Sequence, residues 1–486
     1  MTDPVETRVI IIGAGMSGLL AGLRLRRNGI AGFVILEKSH DVGGTWLDNA
    51  YPGSGCDVPS HLYSYSFAPN PHWSRMFARQ GEILAYFRAR ADKGGLRENL
   101  TFGVEVDRAE WDAAAARWTV IAGDGRSWRA PALIVATGQL NRPNIPDIPG
   151  RDTFGGPQFH TARWDDSVTL KGKRIGVIGS GASAIQIVPE IAPAAGRLTL
   201  FQRSPHWIIP RGDRAFPSWM RCLFARVPAT RLALRGLIWK RLEAGYEAIR
   251  APGGKKAREM EKAARDHLAA QVPDAKLRAK LTPDFPIGCK RTLVSDDFYP
   301  ALMRGNVEVE TRAIAGIESE GVRLIDGTLI ALDVLIWATG FQTHGFVAPI
   351  AIHGPGGALA DAWSDGAAAY RGTTVAGFPN LFLLYGPNTN LGHNSIIFMV
   401  ERQVEYTLPA ILKLARGEAR EVAVKAEAHE AYNAALQSRL ATTAWAAGCG
   451  SWYKTDSGVM PNNWAGTTKD FAQQMKRFDD EAYEIA

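Results

Sequence analysis

Val9-Ile10-Ile11-Ile12-Gly13-Ala14-Gly15-Met16-Ser17-Gly18 decides how this chain starts to fold. Four consecutive β-branched residues suit a strand buried on both faces of a parallel sheet. The G-x-G-x-x-G turn that follows runs straight into the helical pattern Leu19-Leu20-Ala21-Gly22-Leu23. Its glycines, Gly13, Gly15 and Gly18, allow a tight turn, close approach of backbone to a pyrophosphate and tight helix packing. The helix N-terminus then offers unpaired N–H groups and partial positive charge to that pyrophosphate. A second strand, Phe33-Val34-Ile35-Leu36, ends in Glu37, nineteen residues after Gly18 and placed to accept from a ribose hydroxyl. Together these elements read as a dinucleotide-binding unit; which dinucleotide, the motif alone leaves open.

The pattern returns at Arg174-Ile175-Gly176-Val177-Ile178, followed by Gly179-Ser180-Gly181-Ala182-Ser183-Ala184, a G-x-G-x-x-A turn. Here the next strand, Leu198-Thr199-Leu200-Phe201, ends in Gln202-Arg203-Ser204 instead of an acid. A carboxylate would repel a 2′-phosphate, whereas a guanidinium binds one through paired, charge-assisted hydrogen bonds. The second site is therefore expected to prefer NADPH to NADH. Each unit also closes with an apolar strand running into Ala-Thr-Gly: Ala132–Val135 into Ala136-Thr137-Gly138, and Val334–Trp337 into Ala338-Thr339-Gly340. Two glycine-rich turns and two such closures imply two Rossmann-like domains.

Composition sets the outer bounds. A chain of 486 residues with 46% hydrophobic and 22% charged residues is expected to form two or three packed units around a large core. The net charge of +7 comes with no basic run interleaved with aromatics, which argues against nucleic acid as a partner. Cys56, Cys222, Cys289 and Cys449 stand singly, without C-x-x-C pairs. No metal site and no redox dithiol is expected, and each reads as a lone buried thiol. Without an apolar leader or an uncharged run near the ~18 residues of a membrane span, the expected location is cytoplasmic, with no stable membrane insertion. Residues 217–279 turn helical and basic, with Trp219, Leu223, Leu232, Leu237 and Trp239 as the larger apolar residues. They are expected to cover the NADPH domain and shape a substrate entrance. Adsorption to a membrane surface is the weaker reading, because Glu243, Glu247, Glu259 and Glu261 would oppose it.

Several stretches resemble a known family. Lys38 to Gly44, continuing through Thr45-Trp46, resembles the FAD side of flavin-dependent oxidoreductases, as does the Ala136-Thr137-Gly138 closure. Phe378–Phe382 and Gly386–Asn390 resemble the return of the chain to that FAD domain. Phe154, Gly156, His160, Trp164 and Asp165 fill every fixed position of F-x-G-x-x-x-H-x-x-x-W-[P/D], the fingerprint of type I Baeyer–Villiger monooxygenases, a class B group within the flavin-containing monooxygenase superfamily. Gly44-Thr45-Trp46 with Tyr51-Pro52-Gly53 and Asp57 resembles a second fingerprint.

The resemblance implies an α/β fold of two Rossmann-like domains, one for FAD and one for NADP, with a helical insertion. Expected divisions are 1–150 and 346–486 for the FAD-binding parts, the latter with a C-terminal substrate or lid region, 151–215 and 284–345 for the NADP-binding parts, and 216–283 for the helical insertion. It implies NADPH- and O2-dependent insertion of oxygen beside a ketone carbonyl through a C4a-peroxyflavin. Arg291 matches the essential arginine, Asp57 its carboxylate partner, and Lys290 a contact to the 2′-phosphate alongside Arg203 and Ser204. Trp452 matches a residue near the nicotinamide ribose, and the segment around His160 a hinge between domains. Oxygenation of sulfur or nitrogen is the alternative chemistry; a disulfide reductase lacks its C-x-x-C here, and a non-enzymatic flavin sensor would not need the catalytic arginine. Lys454–Gly458, Asn462-Asn463-Trp464 and Leu47–Ala50 depart from the best-known members, which leaves open which ketone or sulfide is the substrate. Oligomeric state is unreadable.

Overall fold

The computed structural model describes residues 3–450 and 453–486. Val9–Ile12 is the middle strand of a five-stranded parallel sheet, ordered Leu381–Leu383, Ala132–Val135, Val9–Ile12, Phe33–Glu37, Leu100–Phe102. Its side chains alternate between two cores. Val9 and Ile11 pack with Leu19, Leu20 and Leu25 of the helix Met16–Arg27, while Ile10 and Ile12 pack with Trp118, Val120 and Leu133. An all-apolar run with period-two alternation is what a strand covered on both faces requires. The cover on the second face is a six-stranded mixed sheet that includes the hairpins of Val106–Asp112, Arg117–Ala122 and Ser127–Ala130.

Arg174–Ile178 repeats this plan. Its parallel sheet is ordered Val307–Glu310, Arg197–Phe201, Arg174–Ile178, Val334–Trp337, Gln158–His160. Ile175 and Val177 face the helix Ala182–Ile191, and Ile178 faces a core shared with Leu335, Trp337 and the antiparallel strands Ile314–Glu318 and Gly321–Leu324. The strand Leu381–Leu383 joins the first sheet only after the whole second sheet has been formed in sequence.

The basic helical stretch divides between both units instead of covering the second alone. Phe216, Phe224, Tyr246 and Ile249, around the helices Ser218–Arg226, Pro228–Glu243 and Tyr246–Arg250, join the core of the first unit. Leu268, Val272 and Leu281, around Lys255–Gln271 and Ala275–Lys280, join that of the second. Helical periodicity shows that a face is apolar but not which sheet it meets. Of the cysteines, Cys56 is a buried free thiol as expected, but Cys222 is exposed and Cys289 is joined to Cys449 by a disulfide across 160 residues. Pairing over that separation has no local signal.

The stretch from Phe154 to Asp165 belongs mostly to the second unit. Phe154 packs with Ile317, Val322 and Leu324, and a Cβ on Gly156 would lie 2.4 Å from the Asp333 carbonyl oxygen. His160, 3 % exposed, ends the edge strand and its Nδ1 accepts from the Ala162 N–H at 3.1 Å. Trp164 meets Phe159 edge-on at 4.9 Å, and Asp165 Oδ1 accepts from Ser167 N–H at 2.9 Å. Arg163 reaches to 3.7 Å from Asp48 of the first unit. This segment is thus anchored on one unit and touches the other.

Burial lowers the His160 pKa from 6.5 to about 4, because the charged imidazolium loses its hydration there. Between those values the unfolded chain binds the extra proton and the folded chain does not, so the stability from a neutral His160 is complete above pH 6.5 and lost as pH falls toward 4. The melting temperature should therefore drop over that interval, and His160→Asn should make the drop shallower; an unchanged slope would show that His160 is not held neutral.

Candidate functional site

Between the two units lies a cavity of about 1150 Å³. Both glycine-rich turns open onto it, and the glycines do separable work. Gly13 and Gly179 sit at φ +100° and +108°, where a Cβ would lie 2.7 and 2.4 Å from the carbonyl oxygens of Ala136 and Ala338. Gly18 packs beneath its turn, with a Cβ position 1.9 Å from Gly13 O, and Ala184 is fully buried against its sheet. Gly15 and Gly181 differ: a Cβ on Gly15 would meet nothing nearer than Gly44 Cα at 3.7 Å, and one on Gly181 would meet nothing within 4 Å. No protein contact requires glycine there, and the space beside each backbone is open. Each caps a helix, Met16–Arg27 or Ala182–Ile191, without a side-chain hydrogen bond to the first-turn amides. The amides of two helix N-termini are left for a ligand, the geometry of a pyrophosphate site.

Glu37 and Arg203 stand at the ends of the corresponding strands. Glu37 is buried and accepts from the backbone N–H groups of Ala14 at 2.7 Å and Ser39 at 2.9 Å, which fixes the carboxylate beside the first turn. Arg203 is exposed at the rim; Lys290 Nζ donates to Ser204 Oγ at 2.9 Å. Burial and then the Arg203 charge lower the Lys290 pKa, and the Asp284 carboxylate offsets this only in part. Gly44, Thr45 and Trp46 line the cavity as well, with Trp46 Nε1 donating to Tyr63 Oη at 3.1 Å.

Arg291 and Asp57 meet across the two units. Arg291 Nε donates to Asp57 Oδ2 at 3.0 Å and Nη2 donates to the same oxygen. Nη1 then has no hydrogen bond to the protein among the described residues. Burial works against ionisation of Asp57, but the Arg291 charge and hydrogen bond hold its carboxyl below the usual range, and Asp57 in turn raises the Arg291 pKa further. The side chains are 27 % and 32 % exposed, and both line the cavity. Of the residues expected at the site, Gly13, Gly15, Glu37, Gly44, Thr45, Trp46, Asp57, Gly179, Gly181, Arg203, Ser204, Lys290 and Arg291 converge on this one cavity. Gly18 and Ala184 pack behind it, the Phe154–Asp165 segment lies outside its lining, and Trp452 lies outside the described residues.

The chain matches a flavin-binding monooxygenase-like family over residues 6–232. It is 44% identical to a Baeyer–Villiger monooxygenase of Streptomyces coelicolor, covering 99% of this chain and 93% of that one. This chain belongs to the Baeyer–Villiger monooxygenase family. A second member, from Pseudomonas aeruginosa, is 42% identical over 98% of this chain and 91% of its own. Among solved structures, a steroid monooxygenase bound to NADP superposes with a TM-score of 0.88 at 30% identity, covering 99% of both chains. A cyclohexanone monooxygenase from Rhodococcus bound to NADP+ gives 0.88 at 27% identity, again over 99% of both.

In this Baeyer–Villiger monooxygenase the structure also shows contacts that motif reading did not supply, and adds Gln186, Arg211 and Tyr385 to the site. The Tyr51–Asp57 segment crosses from the first unit to the helix Ala182–Ile191: Tyr51 Oη donates to Gln186 Oε1 at 2.8 Å, Gln186 Nε2 donates to Gly55 O at 2.9 Å, and Gly53, at φ +83°, presses its backbone on the helix. Arg211 donates to Cys56 O at 2.9 Å and adds a second positive charge near Asp57. Tyr385, at φ +60°, lines the cavity and donates to Asn390 Oδ1 at 2.8 Å, while Asn390 Nδ2 donates to Asn463 Oδ1 at 2.8 Å. The asparagines clustered in Gly386–Asn390 and Pro461–Asn463 were the available signal. The disulfide ties Cys289, two residues before Arg291, to Cys449, beside cavity-lining Gly450.

The two kinds of glycine separate experimentally. Gly181→Ala should leave the melting temperature unchanged and weaken pyridine-nucleotide binding by roughly tenfold or more, since the methyl occupies ligand space. Gly18→Ala should lower the melting temperature through its clash with Gly13 O; equal effects of the two on melting would refute the division.

Proposed function

We propose that this chain holds FAD at the Gly13–Gly18 turn and NADPH at the Gly179–Ala184 turn, and inserts one oxygen atom of O2 beside a ketone carbonyl to give an ester or lactone. The observation that carries the reading is the Arg291–Asp57 pair at a cavity onto which both turns open. The residues present fit both groups: Gly15 and Gly181 leave room for pyrophosphates, Glu37 stands where the first ribose would lie, and Arg203, Ser204 and Lys290 form a basic cluster suited to a 2′-phosphate. Held there, NADPH would supply two electrons and FAD would pass them to O2.

The chain's own part is electrostatic. Arg291 keeps its charge beside Asp57, so it stabilises negative charge on the attacking oxygen and on the ketone oxygen without surrendering a proton to either. Lysine would serve less well, because an ammonium can deprotonate. Asp57 positions the guanidinium and fixes its charge, and Arg211, bonded to the neighbouring Cys56 carbonyl, steadies that carboxylate. Tyr63, Tyr385 and Trp46 form apolar cavity wall that limits water around the reacting atoms. Oxygenation of sulfur or nitrogen gains from an acid beside the transferred oxygen, and a guanidinium with a raised pKa is not one. A ketone and O2 are the proposed small-molecule partners, and dependence on NADPH supports a cytoplasmic location.

Arg291→Ala should lower ester formation by roughly 10²–10³-fold, the size of losing one oxyanion donor, while NADPH still reduces the flavin. Ester made at the full rate would overturn the assignment. Arg203→Ala with Lys290→Ala should raise KM for NADPH by roughly tenfold with little effect on NADH, as expected for charge-assisted bonds at a partly exposed site; equal effects on both nucleotides would remove the 2′-phosphate role.

A further inference from the structure

Residues 214–242 contain seven Lys and Arg and no Asp or Glu. Those seven charges equal the +7 of the whole chain, so the rest of the protein is electrically balanced. The same stretch holds Trp219, Leu223, Val227, Leu232 and Leu237, five of the eleven large hydrophobic side chains exposed among the described residues, with Trp219 65 % and Leu237 66 % exposed.

The arrangement inverts that of an ordinary surface helix, whose outward face is polar. In Ser218–Arg226 the exposed stripe is Trp219, Cys222, Leu223 and Arg226, at i, i+3, i+4 and i+7. In Pro228–Glu243 it is Ala229, Leu232, Ala233, Gly236 and Leu237, closed by Lys240. Each outward stripe is thus apolar and ends in a cation in the last turn. Three arginines are turned to other work: Arg235 donates to the carbonyls of His61 and Leu62 at 2.8 and 3.1 Å, Arg231 donates to Phe224 O at 2.5 Å, and Arg221 donates to Ser218 Oγ at 3.4 Å. Arg214, Arg226, Lys240 and Arg241 remain exposed. The acids that would oppose adsorption are occupied. Glu243 accepts from Asn394 and Thr468, Glu247 pairs with Arg250, Glu259 with Lys256, and Glu261 accepts from Ile287 N–H.

We propose that this helical hairpin docks the enzyme on an anionic lipid bilayer, with Trp219, Leu223, Leu232 and Leu237 entering the interface and the exposed cations meeting lipid phosphates. An apolar stripe on helices that carry cations and, over residues 214–242, no acid, with a tryptophan at its edge, matches the chemistry of a headgroup boundary. A second copy of this chain is a poor occupant, since a self-complementary contact would set one uncompensated positive surface against another. The hairpin lies on the surface instead of crossing: no helix among the described residues is long and apolar enough to span a membrane. The carbonyls that Arg235 grips flank Tyr63, which lines the cavity, so the docked face is one loop away from it. The proposal does not depend on which reaction the cavity supports.

The test is flotation of the FAD-loaded enzyme with vesicles of phosphatidylcholine, with and without phosphatidylglycerol. Binding is expected on the anionic vesicles only and should weaken as salt rises. Trp219→Glu with Leu237→Glu should reduce it by roughly tenfold or more, and Arg226→Gln with Lys240→Gln and Arg241→Gln should do the same through charge alone. NADPH oxidation by both variants, at the wild-type rate, reports that they remain folded. Absence of wild-type binding to anionic vesicles, binding undiminished in the folded variants, or sedimentation showing a dimer that Leu237→Glu dissociates would each overturn the proposal.

Discussion

The ion pair of Arg291 and Asp57 is the constraint on which the rest of the site depends. One partner comes from the segment that leaves the first glycine-rich unit, the other from the second unit just after the disulfide-bonded Cys289. Removing one partner from a fully buried pair costs about 3–5 kcal/mol; with a quarter to a third of these side chains open to the cavity, the cost here is lower. The pair puts a permanent positive charge at the cavity. Tyr51, Gly53 and Gly55 hold the crossing segment on helix Ala182–Ile191, so the position of Asp57 is set by packing between the units and not by the ion pair alone.

Both units answer the same physical problem in the same way. A strand buried on two faces delivers the chain to a glycine turn, the turn releases helix amides toward the cavity, and the next strand ends in the residue that distinguishes the two sites. Glu37 is fixed by two backbone donors, whereas Arg203 is left at the rim with Lys290 nearby. This asymmetry, one acid and one basic cluster, underlies the proposal that two copies of one fold prefer different nucleotides.

How much of this was legible in the sequence follows from how local each signal is. The strands, turns and closing Ala-Thr-Gly segments are contiguous patterns and read directly, and the convergence of Gly15, Gly181, Asp57 and Arg291 on one cavity follows from residues that motif reading named. What could not be read depends on distant partners: the Cys289–Cys449 bond, the division of the helical stretch between two cores, and the Tyr385–Asn390–Asn463 chain of hydrogen bonds. The face of the helices 218–243 shows the same limit. The stretch was expected to cover the NADPH domain, yet several of its apolar residues are exposed.

The central claim is that the cavity between the two units directs an oxygen atom from O2 into a ketone. Its most direct measurement is turnover of a simple ketone by the FAD-loaded enzyme with NADPH under isotopically labelled O2, followed by mass analysis of the product. The account predicts an ester or lactone carrying one labelled oxygen atom. NADPH consumed with only labelled hydrogen peroxide formed and the ketone recovered unchanged would contradict it.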